Sequence, residues 1–208
     1  LKTGTFGDES AVKSDTAASI ISVVLIFVIW GAFTGSGWLP SPFHAPGPFV
    51  GEGQFTYTVK DAEGNESDAK VFVTVHPKGE TAEPQVIEDG TGTAKNDTLV
   101  VQVYRSKLLK WDANDEVTRA DGAAIVAIDG RPISRGNAVE TSIGRVALTD
   151  KGTLNFEPGT GWQMEDIWLP GPDSVWHRLI SVAKDGYQNV SLAEHLSYSL
   201  FRVIVGFA

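Results

Sequence analysis

The alternation of polar and apolar residues changes character along this chain. From Thr16 to Phe33 there is no charged residue, and the run SIISVVLIFVIW (19–30) is apolar on every side of any regular element. A helix rises ~1.5 Å per residue, so the pattern predicts one long enough to cross a hydrocarbon layer of ~30 Å. Its β-branched residues do not prevent this, because unpaired backbone groups in lipid cost more than weak helix propensity. From Gln54 the period is two. Phe55, Tyr57 and Val59 alternate with Gln54, Thr56 and Thr58, and after the turn DAEGN, Val71, Val73 and Val75 alternate with Phe72 and Thr74. This predicts a hairpin with one packed face and one wetter face. Further strand candidates are 98–104, 122–130, 137–150 and 152–159, separated by Gly, Asp, Asn and Pro turns. A lone hairpin cannot bury its apolar face, so these strands predict a two-layer sandwich. Beyond Gly161 the spacing becomes helical. Val175, Leu179 and Val182 share one side of a helix over 174–186. A second helix starts at Ser191, with Glu194 completing an S-x-x-E capping signal and Leu192, Leu196, Leu200 and Val203 forming a stripe.

The organisation that follows is a polar tail (1–15), a transmembrane helix (16–33), a Pro/Gly linker (34–50), a β-sandwich (51–161) and an amphipathic helical segment at the membrane surface (162–208). The fold class is mainly β. Ile20, Ile21, Val24, Leu25, Phe27, Val28 and Trp30 are the expected anchor residues, with Trp30 and Trp38 suited to an interface. The competing readings of 16–33 are a buried helix of a soluble domain and a secretory signal. The second is disfavoured by acidic Asp8, Glu9 and Asp15 near the start and by the lack of a small-x-small cleavage pattern.

Composition narrows the function classes. A net charge of −9 with no Lys/Arg cluster argues against a nucleic-acid face, and the absence of cysteine removes disulfides, zinc thiolates and a cysteine nucleophile. His44, His76, His177 and His195 are scattered, no G-x-S-x-G elbow occurs, and no catalytic constellation emerges, so the expectation is a non-enzyme. Asp112, Asn114, Asp115 and Asp121 in WDANDEVTRADG are candidate calcium ligands, since a hard cation needs several such oxygens. DAEGNESD offers Asp61, Glu63, Asn65 and Asp68 around a turn. Neither has EF-hand spacing, and a solvated acidic turn is the alternative. Trp111, Trp162 and Trp168 fall outside the strand pattern and are expected at the sandwich ends, at headgroups or at a partner.

Two resemblances rest on longer stretches. TGSGWLP (34–40), LPGPDSVW (169–176) and LAEHLSYSLFRVIVGF (192–207) together resemble the start of an inner-membrane permease subunit of nitrate-, sulfonate- and taurine-type ABC importers. This implies an assembly helix carrying His195, Leu196, Leu200, Arg202, Val203 and Phe207. One span cannot surround a channel, so the resemblance implies either part of a longer permease or a segment reused as an anchor. The middle resembles the tandem Ig-like and cadherin-like repeats of large bacterial surface proteins, in permuted order. The closing half of such a repeat comes first, as Gly51 to Val75, and the opening half follows, as Asn96 to Gly159, whose GTLNFEPG (152–159) would ordinarily lead into it. The resemblance implies an Ig-like sandwich and, through cadherin-like modules, calcium as a candidate cofactor. Either the hairpin completes its own domain as a circular permutation, or it completes a neighbour's sheet by strand exchange.

The expected function is a membrane-anchored structural or accessory subunit of the bacterial inner membrane, single-pass, presenting a periplasmic β-sandwich. Its expected partners are the lipid bilayer and other membrane protein subunits, with no nucleic acid. The alternatives are a partial permease subunit of an importer for small anions or sulfonates, and a calcium-binding adhesion-type module.

Overall fold

A computed structural model describes residues 16–188 and 190–207; the expected polar tail, 1–15, lies outside them. The chain forms two compact units, one made of Pro46–Trp162 and the other of the described residues before and after it. The described residues include three α-helices of 19, 14 and 16 residues and nine strands, so the fold is mixed α and β rather than mainly β.

In the β unit, β1 (Gly51–Lys60) and β2 (Glu66–His76) form the hairpin, in register from Gly51↔Val75 to Lys60↔Glu66. Asp61 closes its turn, accepting from the backbone N (2.7 Å) and Nδ2 (2.8 Å) of Asn65. β3 (Asp97–Gln102) lies parallel to β2, and β5 (Ala124–Ile128) pairs with β1 on the other side. Asp129 and Gly130, both at positive φ, turn β5 into β6 (Arg131–Pro132), the mirror-type turn that Asp-Gly favours. The first sheet is therefore ordered β3-β2-β1-β5-β6. The second contains β4 (Lys107–Leu109), β7 (Ala138–Glu140), β8 (Gly144–Leu148) and β9 (Leu154–Pro158), ordered β4-β9-β8-β7. The candidate 137–150 thus divides into β7 and β8, because Thr141 N bonds Gly144 O at 2.7 Å and turns the chain.

The two sheets pack through the residues that alternation selected. Phe55, Tyr57, Val59, Val71, Val73 and Val75 meet Val146, Leu148, Leu154 and Phe156 in one buried cluster, with Phe55 stacked on Phe156 at 5.9 Å. Trp111, expected at an end or interface, is instead fully buried in this core, and its Nε1 donates to Gly152 O at 2.8 Å. The indole combines a large apolar body with a single donor, and a turn carbonyl satisfies that donor.

A parallel pair needs a crossover, and residues 77–96 supply it. Gln85 Nε2 reaches Val73 O at 3.2 Å. Asn96 accepts from Lys70 N and donates to Glu88 O, both at 2.9 Å. The chain also closes where it enters and leaves the unit. Phe49 N donates to Gly159 O and Trp162 N to Pro46 O, both at 2.7 Å. Gly161 sits at φ +63, and a Cβ there would collide with the carbonyls of Pro46 and Gly47.

Gly161→Ala is therefore expected to lower the stability of the β unit by about 2 kcal/mol or more, through positive φ plus backbone collision. Gly130→Ala, at φ +70 with open space around it, should cost only about 1 kcal/mol. Urea unfolding of the two variants checks the difference; equal losses would mean that this closure adds nothing.

Candidate functional site

The remaining unit is built around α1 (Thr16–Thr34). Ile20, Ile21, Val24, Leu25, Phe27 and Val28 are all exposed, with Ile21 at 65%, and Gly31 is the helix's one buried residue. A core helix of a soluble domain hides such a surface; this one presents it. Length and composition make it the one described helix able to cross a membrane.

A helix leaves its last carbonyls without helical partners, and such groups are costly away from water. At the end of α1 the carbonyls of Gly31, Ala32 and Phe33 find partners within this unit. Gly35, at φ +60, permits Ser36 N to reach back to Gly31 O at 3.0 Å, the Schellman closure. Ala45 N donates to Ala32 O at 3.0 Å, Met164 N to Phe33 O at 2.9 Å, and Thr34 Oγ1 to Trp30 O at 2.8 Å. The donors thus come from both sides of the β unit in sequence. Leu39 folds back over Gly31, where a Cβ would come within 2.8 Å of its Cδ1. His44 Nε2 faces the carbonyls of Ser36 and Leu39, each at 3.1 Å; both only accept, so this nitrogen carries the hydrogen.

Asp173 ties this collar to α2 (Pro172–Asp185). Ser36 Oγ donates to its Oδ1 at 2.7 Å and Gly37 N to its Oδ2 at 3.0 Å. Its pKa lies below the usual carboxylate range: burial pushes it up, and the hydrogen bonds from Ser36, Gly37 and Ser174 outweigh that. Trp30 Nε1 donates to Pro170 O at 3.0 Å. TGSGWLP and LPGPDSVW, far apart in sequence, therefore meet side by side. α3 (Leu192–Phe207) follows a short turn, with Ser191 Oγ accepting from Glu194 N at 3.2 Å. Its residues His195, Leu196, Leu200, Arg202, Val203 and Phe207 are all exposed.

The candidate calcium ligands are engaged within the β unit. Asp112 takes two bonds from Arg119 (Nε 2.7 Å, Nη2 2.9 Å), which hold its pKa below the usual range. Asp121 caps Thr118, accepting from its Oγ1 at 2.6 Å. Asp115 accepts from Lys95 N at 2.6 Å, and Asn114 Nδ2 donates to Asn96 O at 2.9 Å. Among the described residues no group of three or more His, Asp or Glu is arranged to hold a metal.

Periodicity did not single out the neighbouring buried pair. The hydroxyl of Tyr57 lies 2.9 Å from both Lys95 O and Asp97 Oδ2, and Asp97 is 8% exposed. The phenol proton is shared between the two acceptors. Burial pushes Asp97 up to about 7; the hydrogen bond donated by Tyr57 opposes this, and the charges of Asp115 and Asp112 add to it. Burial likewise raises Asp115 and, with Asp97 beside it, Tyr57.

Comparisons of the chain with protein-family models, curated proteins and solved structures returned no match.

Two outcomes follow. An unfolded aspartate titrates near ~4, so between ~4 and the raised Asp97 value the folded state holds the extra proton and stability falls as pH rises, levelling off above ~7. Asp112, with a lowered pKa, acts in the opposite sense below ~4. Melting temperatures between about pH 5 and about pH 8 should decline for the native chain and flatten for Asp97→Asn; an unchanged slope would remove Asp97 as its source. Separately, Asp173→Ala should cost about 2 kcal/mol by stranding Ser36 Oγ and Gly37 N, seen as faster proteolysis at residues 34–45 in detergent.

Proposed function

We propose that this chain is a membrane-anchored, non-enzymatic structural or accessory subunit. In this reading α1 spans the bilayer, α2 and α3 return to the membrane surface, and the β unit is an Ig-like sandwich on the periplasmic side of a bacterial inner membrane. The observation that carries it is α1 itself: uncharged, exposed along its length, and terminated by a collar that partners the carbonyls of Gly31, Ala32 and Phe33. Only such a helix end is tolerable where water is scarce. At ~1.5 Å per residue its length matches the hydrocarbon layer. The span would pack against other subunits, while the sandwich offers a rigid surface on which a few contacts decide affinity.

Strand order supports the Ig-like assignment. With β1 and β2 moved behind β9, the first sheet reads A′-G-F-C-C′ and β4-β9-β8 reads B-E-D, the two layers of an Ig sandwich. The break then falls between β9 and β1, where Phe49 and Gly159 are hydrogen-bonded, and the 77–96 crossover joins the former ends. The hairpin pairs with β3 and β5 of its own chain, which favours permutation over strand exchange.

A second reading, part of an importer permease, is favoured by a separate observation. The two segments that carry that resemblance dock through Ser36, Gly37 and Asp173, as they would if the β unit interrupted a short loop of such a subunit. A calcium-dependent adhesion role would require displacing Arg119 from Asp112 and Lys95 from Asp115.

The test is extraction and flotation of the full chain with phosphatidylcholine vesicles, followed by protease protection. Alkaline carbonate should leave the chain in the vesicles, with residues 16–34 protected and the β unit cleavable from one side. Quantitative release by carbonate would sink the anchor. Copurification at fixed stoichiometry with other membrane subunits supports the accessory role, and copurification with an ATPase the permease.

A further inference from the structure

We propose that a polar stripe on α3, formed by His195, Tyr198, Ser199 and Arg202, binds the phosphate of an anionic phospholipid. The proposal rests on the membrane reading above. At ~100° per residue these four side chains fall within an arc of roughly 100°, and Leu196, Leu200, Val203, Ile204 and Phe207 fall within a second arc of roughly 100° on the other side, with Glu194 and Ser197 between the two. The four line an open concavity of about 450 Å³. No residue of α3 is buried, so its apolar arc faces outward as fully as its stripe.

The chemistry of the stripe selects a phosphate. Among the described residues the ion pairs are Lys60–Glu66, Lys95–Glu116, Arg119–Asp112 and Arg145–Glu140, so Arg202 has no carboxylate. An unpaired guanidinium on an apolar helix is costly in or near lipid, and phosphate oxygens match its forked donors. His195 Nε2 lies 3.2 Å from Tyr187 O, which can only accept, so that nitrogen carries the hydrogen and anchors the ring at the edge of the stripe. The hydroxyls of Tyr198 and Ser199 complete the set. The other hydroxyl of this helix, Ser197, is taken by Ala193 O at 2.8 Å.

A phospholipid fits better than a free anion. Its acyl chains cover the apolar arc while its phosphate meets Arg202, whereas a free ion leaves Leu196, Leu200, Val203 and Phe207 in water.

The test is native mass spectrometry of the full chain in mild detergent with phosphatidylglycerol, phosphatidylcholine or inorganic phosphate. Phosphatidylglycerol adducts should exceed phosphatidylcholine adducts several-fold. Arg202→Gln should reduce their retention about tenfold, the scale of one charge-assisted hydrogen bond, while Arg202→Lys keeps most of it and Arg178→Gln on α2 changes nothing. Should Arg202→Gln fail to fold, His195→Gln combined with Ser199→Ala carries the same comparison. Equal retention of the two lipids, a preference that survives loss of Arg202, or inorganic phosphate held as well as the lipid overturns the proposal. So does an acidic protein, rather than lipid, carried on Arg202. Flotation on neutral vesicles separates the two readings: a chain that does not float sinks the membrane anchor, and one that floats without phosphatidylglycerol preference sinks only the stripe.

Discussion

The constraint on which the helical unit depends is the one that ends α1. Four backbone carbonyls at a helix terminus need donors, and water is the usual supplier. Here Ser36, Ala45 and Met164 supply those of Gly31, Ala32 and Phe33, with Gly35 making the reversal that brings Ser36 back. Two of these donors lie before the β unit in sequence and one lies after it, so the helix end is complete only when both flanks are present. Asp173 then joins the collar to α2 with two further bonds. Gly31 is small for a related reason, since Leu39 occupies the space a side chain would take.

The β unit solves a different problem with similar means. Its core is apolar and conventional, but the parallel β2–β3 pair obliges the chain to travel the length of the sheet outside it. Gln85 and Asn96 hold that excursion to strand β2 by side-chain amides, which can donate and accept where no ladder runs. Lys107 Nζ donates to Val100 O at 2.8 Å, placing a charge against the outer edge of β3 and discouraging further strand addition there.

The hairpin, the apolar helix and both C-terminal helices were legible in the sequence because each buries or exposes a face at a fixed period. Val71, Val73 and Val75 announced their shared face; the division of 137–150 did not show, because Thr141 to Ile143 turn without Gly or Pro. Trp111 lay outside any period, and its burial follows from the Gly152 carbonyl, a contact 41 residues distant. Asp173 stood in a recognisable helix start, G-P-D, yet its partners Ser36 and Gly37 lie on the far side of the β unit, where spacing carries no information. In the acidic run at 112–121, Asp112, Asp115 and Asp121 each accept from a different donor, pairings that composition does not reveal. Of the Tyr57–Asp97 pair the sequence shows only a carboxylate just before the apolar run Leu99 to Val101.

The mutual bonding of Pro46 with Trp162 bears on the order in which the molecule can be made. A ribosome releases α1 and Ala45 early, but Met164, Pro170 and Asp173 emerge only after all of the β unit. Bringing such distant segments together across an open coil carries a loop-closure entropy that grows with the intervening length. Once the sandwich has folded, its own two ends are already adjacent, and the gap still to be closed shrinks from a whole domain to a few residues. Folding of the middle is thus what brings these late partners within reach of the waiting helix.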